Sequence, residues 1–230
     1  ARAVALSKER GDQLHLWSAL NNRRNVRVGR KDAAGAVEDQ RAAMGIAREL
    51  GLVLGEYFGE LNLSELLYQT GDLDEAAGHA GRAVEIETLH PEVARRPIGL
   101  LRMARIEAYR GREPEARELI RRIEELVQEA REEGRGSGVL TGAEQVLLRM
   151  ADLATRDSSA AEWEELLERS ARVSLEQEPI EVAELLGVWG LRRGQPELAR
   201  RGFDEAAARA ARIPNVMDER LRRGAAALAQ

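Results

Sequence analysis

The stretch Gly71-Asp72-Leu73-Asp74-Glu75-Ala76 recurs along the chain at a regular interval, and this recurrence determines the predicted fold. Gly111-Arg112-Glu113-Pro114-Glu115-Ala116 follows it after 40 residues and again places an alanine five positions after a glycine. Forty residues before it, Lys31-Asp32-Ala33-Ala34-Gly35-Ala36 repeats the motif with lysine in place of the glycine, and Gly194-Gln195-Pro196-Glu197-Leu198-Ala199 is a weaker copy. A period of about 20 to 50 residues is typical of stacked supersecondary units. The sequence therefore predicts a repeat protein.

Each repeat is predicted to contain two antiparallel helices joined by the glycine turn. Gly71 is placed to end one helix in a left-handed conformation, and Asp72 with Glu75 has the spacing of a capping box that begins the next. Ser159 and Glu162 repeat that spacing. The predicted helices cover residues 13–28, 33–50, 53–69, 72–87, 92–109, 113–133, 142–155, 159–175, 180–192 and 196–211, with residues 1–10 matching the second helix of an earlier repeat and residues 218–229 forming a C-terminal capping helix.

The composition favours helices and narrows the possible functions. Hydrophobic residues make up 43% of the 230 residues but aromatic residues only 3%, with charged residues at 33%, and this balance is typical of helices rather than strands. The net charge of −5 gives no support for nucleic-acid binding. The chain has no cysteine, no apolar stretch long enough to span a membrane and no apolar leader. We therefore expect a cytoplasmic protein and, because the chain does not begin with methionine, a fragment of a longer one.

One interval departs from the period and predicts a hinge. From Gly111 to the equivalent Ser158 there are 47 residues, and the surplus falls in the glycine-rich stretch Glu133-Gly134-Arg135-Gly136-Ser137-Gly138. These glycines do not match a phosphate-binding loop, because no strand precedes them and the Lys-Ser/Thr pair of that loop is absent. We expect a flexible connector with a hinge at residues 133–141.

The repeats resemble the tetratricopeptide repeat in the positions of their large and small apolar residues. The match is best from Asn62-Leu63-Ser64-Glu65-Leu66-Leu67 through Gly71-Asp72 to Ala76, Ala80 and Ala83. The resemblance implies an all-α fold, a right-handed α-solenoid of about five helix–turn–helix repeats that forms a single domain over residues 1–230. A repeat of 40 residues is longer than the usual one of about 34, and it is similar to the long repeats of bacterial signalling regulators and kinesin light chains.

The first repeat departs from the family pattern at two adjacent positions. Arg23 and Arg24 stand where a leucine and a small residue are expected to pack against the second helix. A buried and unpaired arginine is costly. We expect either that the first helix of this repeat is shifted or splayed, or that these side chains reach outward to solvent.

In this family the first helix of each repeat lines a concave wall, and its polar positions contact ligands. Asparagine both donates and accepts hydrogen bonds, as a peptide backbone requires, and arginine pairs with carboxylates through two parallel bonds. The alternative is an ordinary solvated wall, in which Glu65 and Asp152 pair with the arginines. The residues at the corresponding positions of the first helix in each of four repeats are the candidate groove residues. They are Asn22, Asn25, Phe58, Asn62, Glu65, Gln69, Arg102, Arg105, Tyr109, Arg149, Asp152 and Arg156.

The resemblance implies a protein- or peptide-binding scaffold, acting as the interaction or sensor module of a larger bacterial signalling or transcription-regulatory protein. Self-association through the solenoid ends is one alternative, and a small-molecule sensor with a pocket closed by Phe58 and Tyr109 is another. We expect no enzyme activity, no cofactor or metal, and no contact with nucleic acid or membrane. His15, His79 and His90 lie far apart in the sequence, and neither a Gly-x-Ser-x-Gly elbow nor a cysteine nucleophile is present.

Overall fold

The chain folds into α-helices that pack on their neighbours in sequence. The computed structural model describes residues 2–93, 96–134, 139–173, 177–213 and 215–229. Within these ranges the regular secondary structure consists of twelve α-helices and one 3₁₀ turn, so the predicted all-α fold is confirmed. The helices are α1 Arg2–Glu9, α2 Gln13–Gly29, α3 Ala33–Glu49, α4 Val53–Thr70, α5 Leu73–Leu89, α6 Ile98–Arg110, α7 Glu113–Glu132, α8 Gly142–Ala154, α9 Ala160–Val173, α10 Glu178–Arg192, α11 Pro196–Ala210 and α12 Asp218–Ala226, followed by the turn Ala227–Ala229.

The predicted helix boundaries agree with these bounds to within two residues, except at the start of α6 and at the C-terminus of α12. The sequence analysis began the sixth helix at residue 92, whereas α6 begins at Ile98, directly after Pro97. The ring of a proline disfavours the helical conformation at the residue before it and supplies no N–H. The early start predicted for this helix is therefore wrong, and residues 94 and 95 lie outside the described residues.

The turn between helices recurs every 20 residues from Gly11 to Gly71 and again at Gly111, so it is more frequent than the 40-residue interval that the sequence analysis recognised. Gly11, Gly51, Gly71 and Gly111 all have positive φ, and Lys31 adopts the same left-handed conformation at φ 60°. After each of these five residues, the next N–H donates to the carbonyl five positions back. The bonds are Asp12–Ser7 at 3.0 Å, Asp32–Arg27 at 2.9 Å, Leu52–Ala47 at 2.8 Å, Asp72–Leu67 at 2.8 Å and Arg112–Glu107 at 2.9 Å. This bond is the signature of the Schellman motif, which favours glycine because glycine has no Cβ.

The two predicted capping boxes have different outcomes. At the start of α9 the box is confirmed: Ser159 N–H donates to Glu162 Oε2 at 2.9 Å, and Glu162 N–H donates to Ser159 Oγ at 3.3 Å. At the start of α5 it is wrong, because Asp72 makes no side-chain bond to the helix and instead accepts from Thr70 Oγ1 at 2.9 Å. Glu75 is turned away to an ion pair with Arg41 of α3. A tertiary contact has therefore replaced the local one.

Contacts between Cα atoms divide the chain into two compact units, with the division at residues 94 and 95. The first unit contains α1 to α5 together with the short segment 214–216, and the second contains α6 to α12. The hinge predicted at residues 133–141 falls inside the second unit, between α7 and α8, which contact each other. Residues 135–138, with Gly136 and Gly138, lie outside the described residues, and the hinge remains a prediction.

In the first unit each helix packs on the next, and small residues allow a close approach. α3 contacts both α2 and α4, and α4 contacts α5. Ala76, Ala80 and Ala83 on α5 are fully buried, as the sequence analysis predicted. Gly59 on α4 lies so close to α3 that a Cβ there would be 3.1 Å from Met44 Cγ. These small side chains leave room on α4 for larger polar residues beside the core.

In the second unit α6, α8, α10 and α12 form a row, in which α8 contacts α6 and α10, and α10 contacts α12. α10 and α11 approach closely, and a Cβ on Gly202 would lie 2.4 Å from the backbone nitrogen of Gly187. Trp163 and Trp189 are almost fully buried, and their ring centroids lie 5.9 Å apart. Along the part of the chain that the structure describes, no helix is both long and apolar enough to cross a membrane.

Candidate functional site

The predicted groove residues of the first unit form one stripe on α2 and one on α4. Asn22 and Asn25 are exposed on α2, at spacings that place them on one side of the helix. On α4, Phe58 is 50% exposed, and Asn62 and Glu65 are half-buried. Gln69, at the end of the stripe, is buried, and its side-chain amide donates to Glu65 Oε1 at 3.0 Å.

The accessible parts of these stripes combine apolar and amide side chains. α2 and α4 approach closely at Trp17 and Gly55, where a Cβ on the glycine would lie 3.4 Å from Trp17 Cζ2. The two helices carry equivalent residues 40 positions apart, so Leu14 corresponds to Leu54, Ser18 to Phe58 and Asn22 to Asn62. Leu14 is 55% exposed and Leu54 is 50% exposed. We call Leu14, Asn22, Leu54, Phe58 and Asn62 the α2–α4 face.

Arg23, which interrupts the apolar pattern of α2, is paired with a buried acid. Its Nε donates to Asp39 Oδ2 at 2.8 Å and its Nη2 to Asp39 Oδ1 at 2.5 Å, while Asp39 on α3 is 1% exposed. Arg27 adds a contact of 3.2 Å to the same carboxylate. The hydrogen bonds that Arg23 donates to Asp39 raise the pKa of Arg23 against the opposing effect of burial. The sequence analysis considered a displaced helix or an outward side chain for Arg23 but missed this third solution.

A second buried acid, Glu60 on α4, is also surrounded by bases. His79 Nδ1 lies 2.6 Å from Glu60 Oε2, and Arg48 and Arg82 donate to Glu60 Oε1 at 2.5 Å and 3.1 Å. Burial alone raises the pKa of Glu60, but the hydrogen bond with His79 and the charge of Arg82 outweigh it, so the pKa is lowered. The sequence analysis missed this cluster. The available signal was that Glu60 and His79 occupy helix faces that are otherwise apolar or small.

In the second unit, two of the predicted groove residues contact buried acids of α10. Arg105 on α6 is buried, and its Nη2 lies 3.4 Å from Glu181 Oε2. The hydroxyl of Tyr109 donates to Glu184 Oε1 at 2.9 Å. Arg102, on the same helix, is half-buried. The polar face predicted on α6 therefore meets other helices of its own unit.

Glu184 also holds an arginine from the C-terminal helix. Arg220 on α12 donates from Nε to Glu184 Oε1 at 2.8 Å and from Nη2 to Glu184 Oε2. The guanidinium carbon lies 5.2 Å from the centroid of the Tyr109 ring, within the range of a cation–π contact. Glu184 is fully buried and Arg220 is 3% exposed. The sequence analysis missed Glu181, Glu184 and Arg220. These residues lie on α10 and α12, which carry none of the candidate groove residues.

The predicted residues on α8 and Arg156, two residues beyond its end, pair among themselves and with Glu162 of α9. Arg149 Nη1 donates to Asp152 Oδ2 at 2.5 Å, and Arg156 Nε donates to the same oxygen at 3.2 Å. Both arginines reach Glu162, at 3.1 Å and 2.6 Å. The hydrogen bond from Arg156, followed by those from Ser159, lowers the pKa of Glu162 to about 2. The internal pairing that the sequence analysis kept as its alternative is present at Asp152.

Two surface depressions in the described residues, of about 770 and 540 Å³, lie along α11. Their walls are mostly arginine and glutamate, including the pairs Arg201–Glu164 and Arg209–Glu205 at 2.6 Å each. Small-molecule sites are predominantly apolar. Among the described residues, no three histidine, aspartate or glutamate side chains are grouped so that they could hold a metal ion.

Comparison with known proteins gives no relative from which a function could be transferred. No family model matches the chain, and neither the curated proteins nor the solved structures contain a match. The functional argument therefore depends on the residues described above.

Proposed function

We propose that the chain is a peptide-binding scaffold built from about five tetratricopeptide-type repeats, wound as a right-handed solenoid, that serves as the interaction module of a signalling or regulatory protein. Three features support the assignment to this type of repeat. The helices pack as consecutive hairpins, the same glycine turn recurs at a fixed interval, and small residues lie at the helix contacts. A stack of hairpins presents extended surfaces and supplies no reactive group of its own.

We assign the binding to the α2–α4 face, and the exposure of its apolar side chains is the observation that carries the proposal. Among the described residues, seven of the nine exposed large hydrophobic side chains lie in the first unit; they are Leu6, Leu14, Val26, Leu50, Leu54, Phe58 and Leu89, against Leu126 and Val173 in the second. Grouped exposed apolar residues mark interaction sites more often than scattered ones do.

The asparagines of the α2–α4 face supply the complementary polar contacts. Asn22 and Asn62 occupy equivalent positions, one turn beyond Ser18 and Phe58. Each side-chain amide can donate to a peptide carbonyl and accept from a peptide N–H at the same time. We therefore propose that an extended segment binds with a large apolar side chain on Phe58 and Leu54, and with its backbone on the two asparagines.

The arginines on the predicted wall of the second unit are less suited to this role. Arg105, Arg149 and Arg156 all face carboxylates of their own unit at hydrogen-bond or ion-pair distance. An incoming acidic peptide would have to displace those carboxylates. The first unit offers accessible groups without that competition.

An array of short peptides tests the proposal. Peptides with one central leucine, isoleucine or phenylalanine are compared with matched peptides that carry serine at the centre. We expect the chain to retain a subset of the apolar peptides, and Phe58→Ser to lose that subset. Glu85→Gln, a substitution of an exposed residue on α5, is the matched control and retains it.

Two outcomes would contradict the proposal. One is retention of the same peptides by Phe58→Ser and the wild type. The other is a dimer, detected by light scattering, that dissociates in Phe58→Ser, because the face would then be occupied by a second copy of the chain.

A further inference from the structure

The C-terminal helix α12 sits on the second unit in the manner of a bound ligand. Its contacts come from Met217, Arg220, Leu221 and Gly224, which follow the i, i+3, i+4, i+7 spacing of an amphipathic helix in a groove. Met217 is fully buried, and Arg220 and Leu221 are 3% and 6% exposed. The next two residues, Arg222 and Arg223, have side chains that are 73% and 57% exposed. One narrow face of α12 therefore makes the attachment.

The groove that receives α12 is apolar along its floor. Ile180 and Ala183 of α10 and Ala206 and Ala210 of α11 form one cluster with Met217 and Leu221. The ring of Phe203 on α11 lies under Gly224, where a Cβ would be 2.6 Å from Phe203 Cε1. The groove therefore requires large apolar side chains at two positions of its occupant and a glycine one turn later.

One wall of the groove carries a preformed site for a guanidinium group. Glu184 offers both carboxylate oxygens to Arg220, and the hydroxyl of Tyr109 holds the same carboxylate at 2.9 Å. The Tyr109 ring covers one side of the guanidinium at 5.2 Å. A planar fork against a carboxylate with an aromatic ring on its face suits arginine and does not suit lysine.

The attachment of α12 is also confined to few residues. α12 has nine residues, and helices of fewer than about 12 residues are marginal unless packing stabilises them. Within the helix only Arg220 and Leu221 are buried, whereas α10 buries eleven of its residues. Elements with so few buried contacts open at a lower free energy than the rest of the fold.

We propose that the groove between α10 and α11 is a helix-binding site that selects an arginine, and that α12 occupies it until a partner helix of the same chemistry displaces it. The partner segment carries an apolar residue, followed by arginine three positions later, leucine four positions later and glycine seven positions later. This site belongs to the second unit and does not depend on the α2–α4 face. Binding of the partner would release α12.

The test uses the full chain and a fluorescent peptide with the sequence of residues 215–229. Gly224→Val in the chain loosens its own α12 through the contact with Phe203 and leaves Glu184 and Tyr109 in place. We expect the peptide to bind this variant about a hundredfold more tightly than the wild type, because the tethered helix no longer competes. Adding Glu184→Gln to the variant lowers the affinity again by about a hundredfold, through loss of the charged partner.

Two peptides of equal charge serve as matched probes. The peptide with Arg220→Lys loses affinity for the Gly224→Val chain, because lysine does not form the fork, and the peptide with Arg222→Lys retains it, because that side chain faces solvent. Equal binding of the two peptides would overturn the proposal, as would failure of a folded Gly224→Val chain to bind either one.

Hydrogen exchange on the otherwise unchanged chain gives a second test that does not depend on the Gly224→Val variant. We expect Arg220→Lys to accelerate amide exchange in residues 220–226, while Arg222→Lys leaves it unchanged. Equal exchange in these two variants would show that Arg220 does not hold α12 and would refute the guanidinium site.

Discussion

The two units bury acidic residues in different ways. In the first unit the arginines reach in from partly exposed positions: the side chains of Arg23, Arg48 and Arg82 are 28%, 44% and 45% exposed, around Asp39 and Glu60. In the second unit both partners are inside, since Glu184 is fully buried and Arg220 is 3% exposed. A base with access to water can be resolvated when its acid is lost, whereas a buried base cannot without local opening.

This difference extends to the helices that carry the predicted groove residues, which are α2 and α4 in the first unit and α6 and α8 in the second. The second unit satisfies the polar residues of α6 and α8 with its own acids, so these residues are engaged in internal pairs. The first unit places its ion pairs between α3, α4 and α5 and between α2 and α3, and leaves Leu14, Leu54 and Phe58 accessible. Substitution of the buried acids Glu184, Asp39 and Glu60 tests this contrast, because the loss in the free energy of unfolding can be compared between the two units.

The largest effect is expected for Glu184→Gln in the second unit. Neutralising this carboxylate leaves Arg220 buried without its charged partner, and we expect a loss of about 3 kcal/mol in the free energy of unfolding. Urea denaturation of the variant and the wild type at neutral pH provides the measurement. A loss no larger than that of Glu60→Gln would remove the distinction between the units.

A somewhat smaller effect is expected for Asp39→Leu in the first unit. The substitution leaves Arg23 and Arg27 without the buried acid, and we expect destabilisation of about 2 to 3 kcal/mol. Adding Arg23→Leu restores the apolar pattern of α2 and should recover most of that loss, because a buried ion pair and an apolar pair are often similar in stability. Additive losses in the double mutant would show that the two residues are not coupled.

Glu60→Gln tests the half-exposed pairs and their dependence on pH. Because Arg48 and Arg82 keep access to water, we expect a loss of about 1.5 kcal/mol at neutral pH. The pKa of Glu60 is lowered in the folded state, so its contribution is complete above the ordinary value of 4.5 and disappears as the pH falls through the folded-state pKa. The difference in stability between variant and wild type should therefore shrink below that pH. A constant difference across the acid range would contradict this account of Glu60.

The smallest changes in stability are expected for substitutions in the turns, one in each unit. Lys31 holds a left-handed conformation that glycine adopts at the other turns, so Lys31→Gly should stabilise the chain by about 0.5 to 1 kcal/mol. Gly111→Ala should destabilise it by about 1 kcal/mol, since φ is 78° and a Cβ would lie 3.0 Å from Arg192 Cζ. Thermal unfolding measures both changes. Shifts of the same sign would contradict the assignment of Lys31 to the glycine position.

The helices and turns were largely predictable because their signals are local. A glycine with positive φ, the Ser159–Glu162 box and the buried alanines of α5 each depend on residues within one turn of one another. One exception has a tertiary cause: Glu75 leaves its predicted cap because Arg41 of another helix lies within reach. Where local and tertiary contacts compete, the sequence pattern alone gives the wrong result.

The buried acids could not be predicted with their partners for the opposite reason. Glu60 and His79 are 19 positions apart, Glu184 and Arg220 are 36 apart, and Tyr109 and Glu184 are 75 apart. Which side chains meet depends on how each helix rotates and crosses its neighbours, and the repeat period does not specify this. An acid on an otherwise apolar helix face predicts that a base lies nearby, but does not identify it.

The most direct test of the proposed peptide-binding face is a calorimetric titration of a peptide retained on the array. The titration is made with the wild type, with Asn22→Ala, with Asn62→Ala and with both substitutions together. Each lost hydrogen bond is expected to cost about 1 kcal/mol, so each single variant should bind about fivefold more weakly and the double variant more weakly still. Unchanged affinity in the double variant, with the fold intact, would contradict the claim that the α2–α4 face holds a peptide backbone.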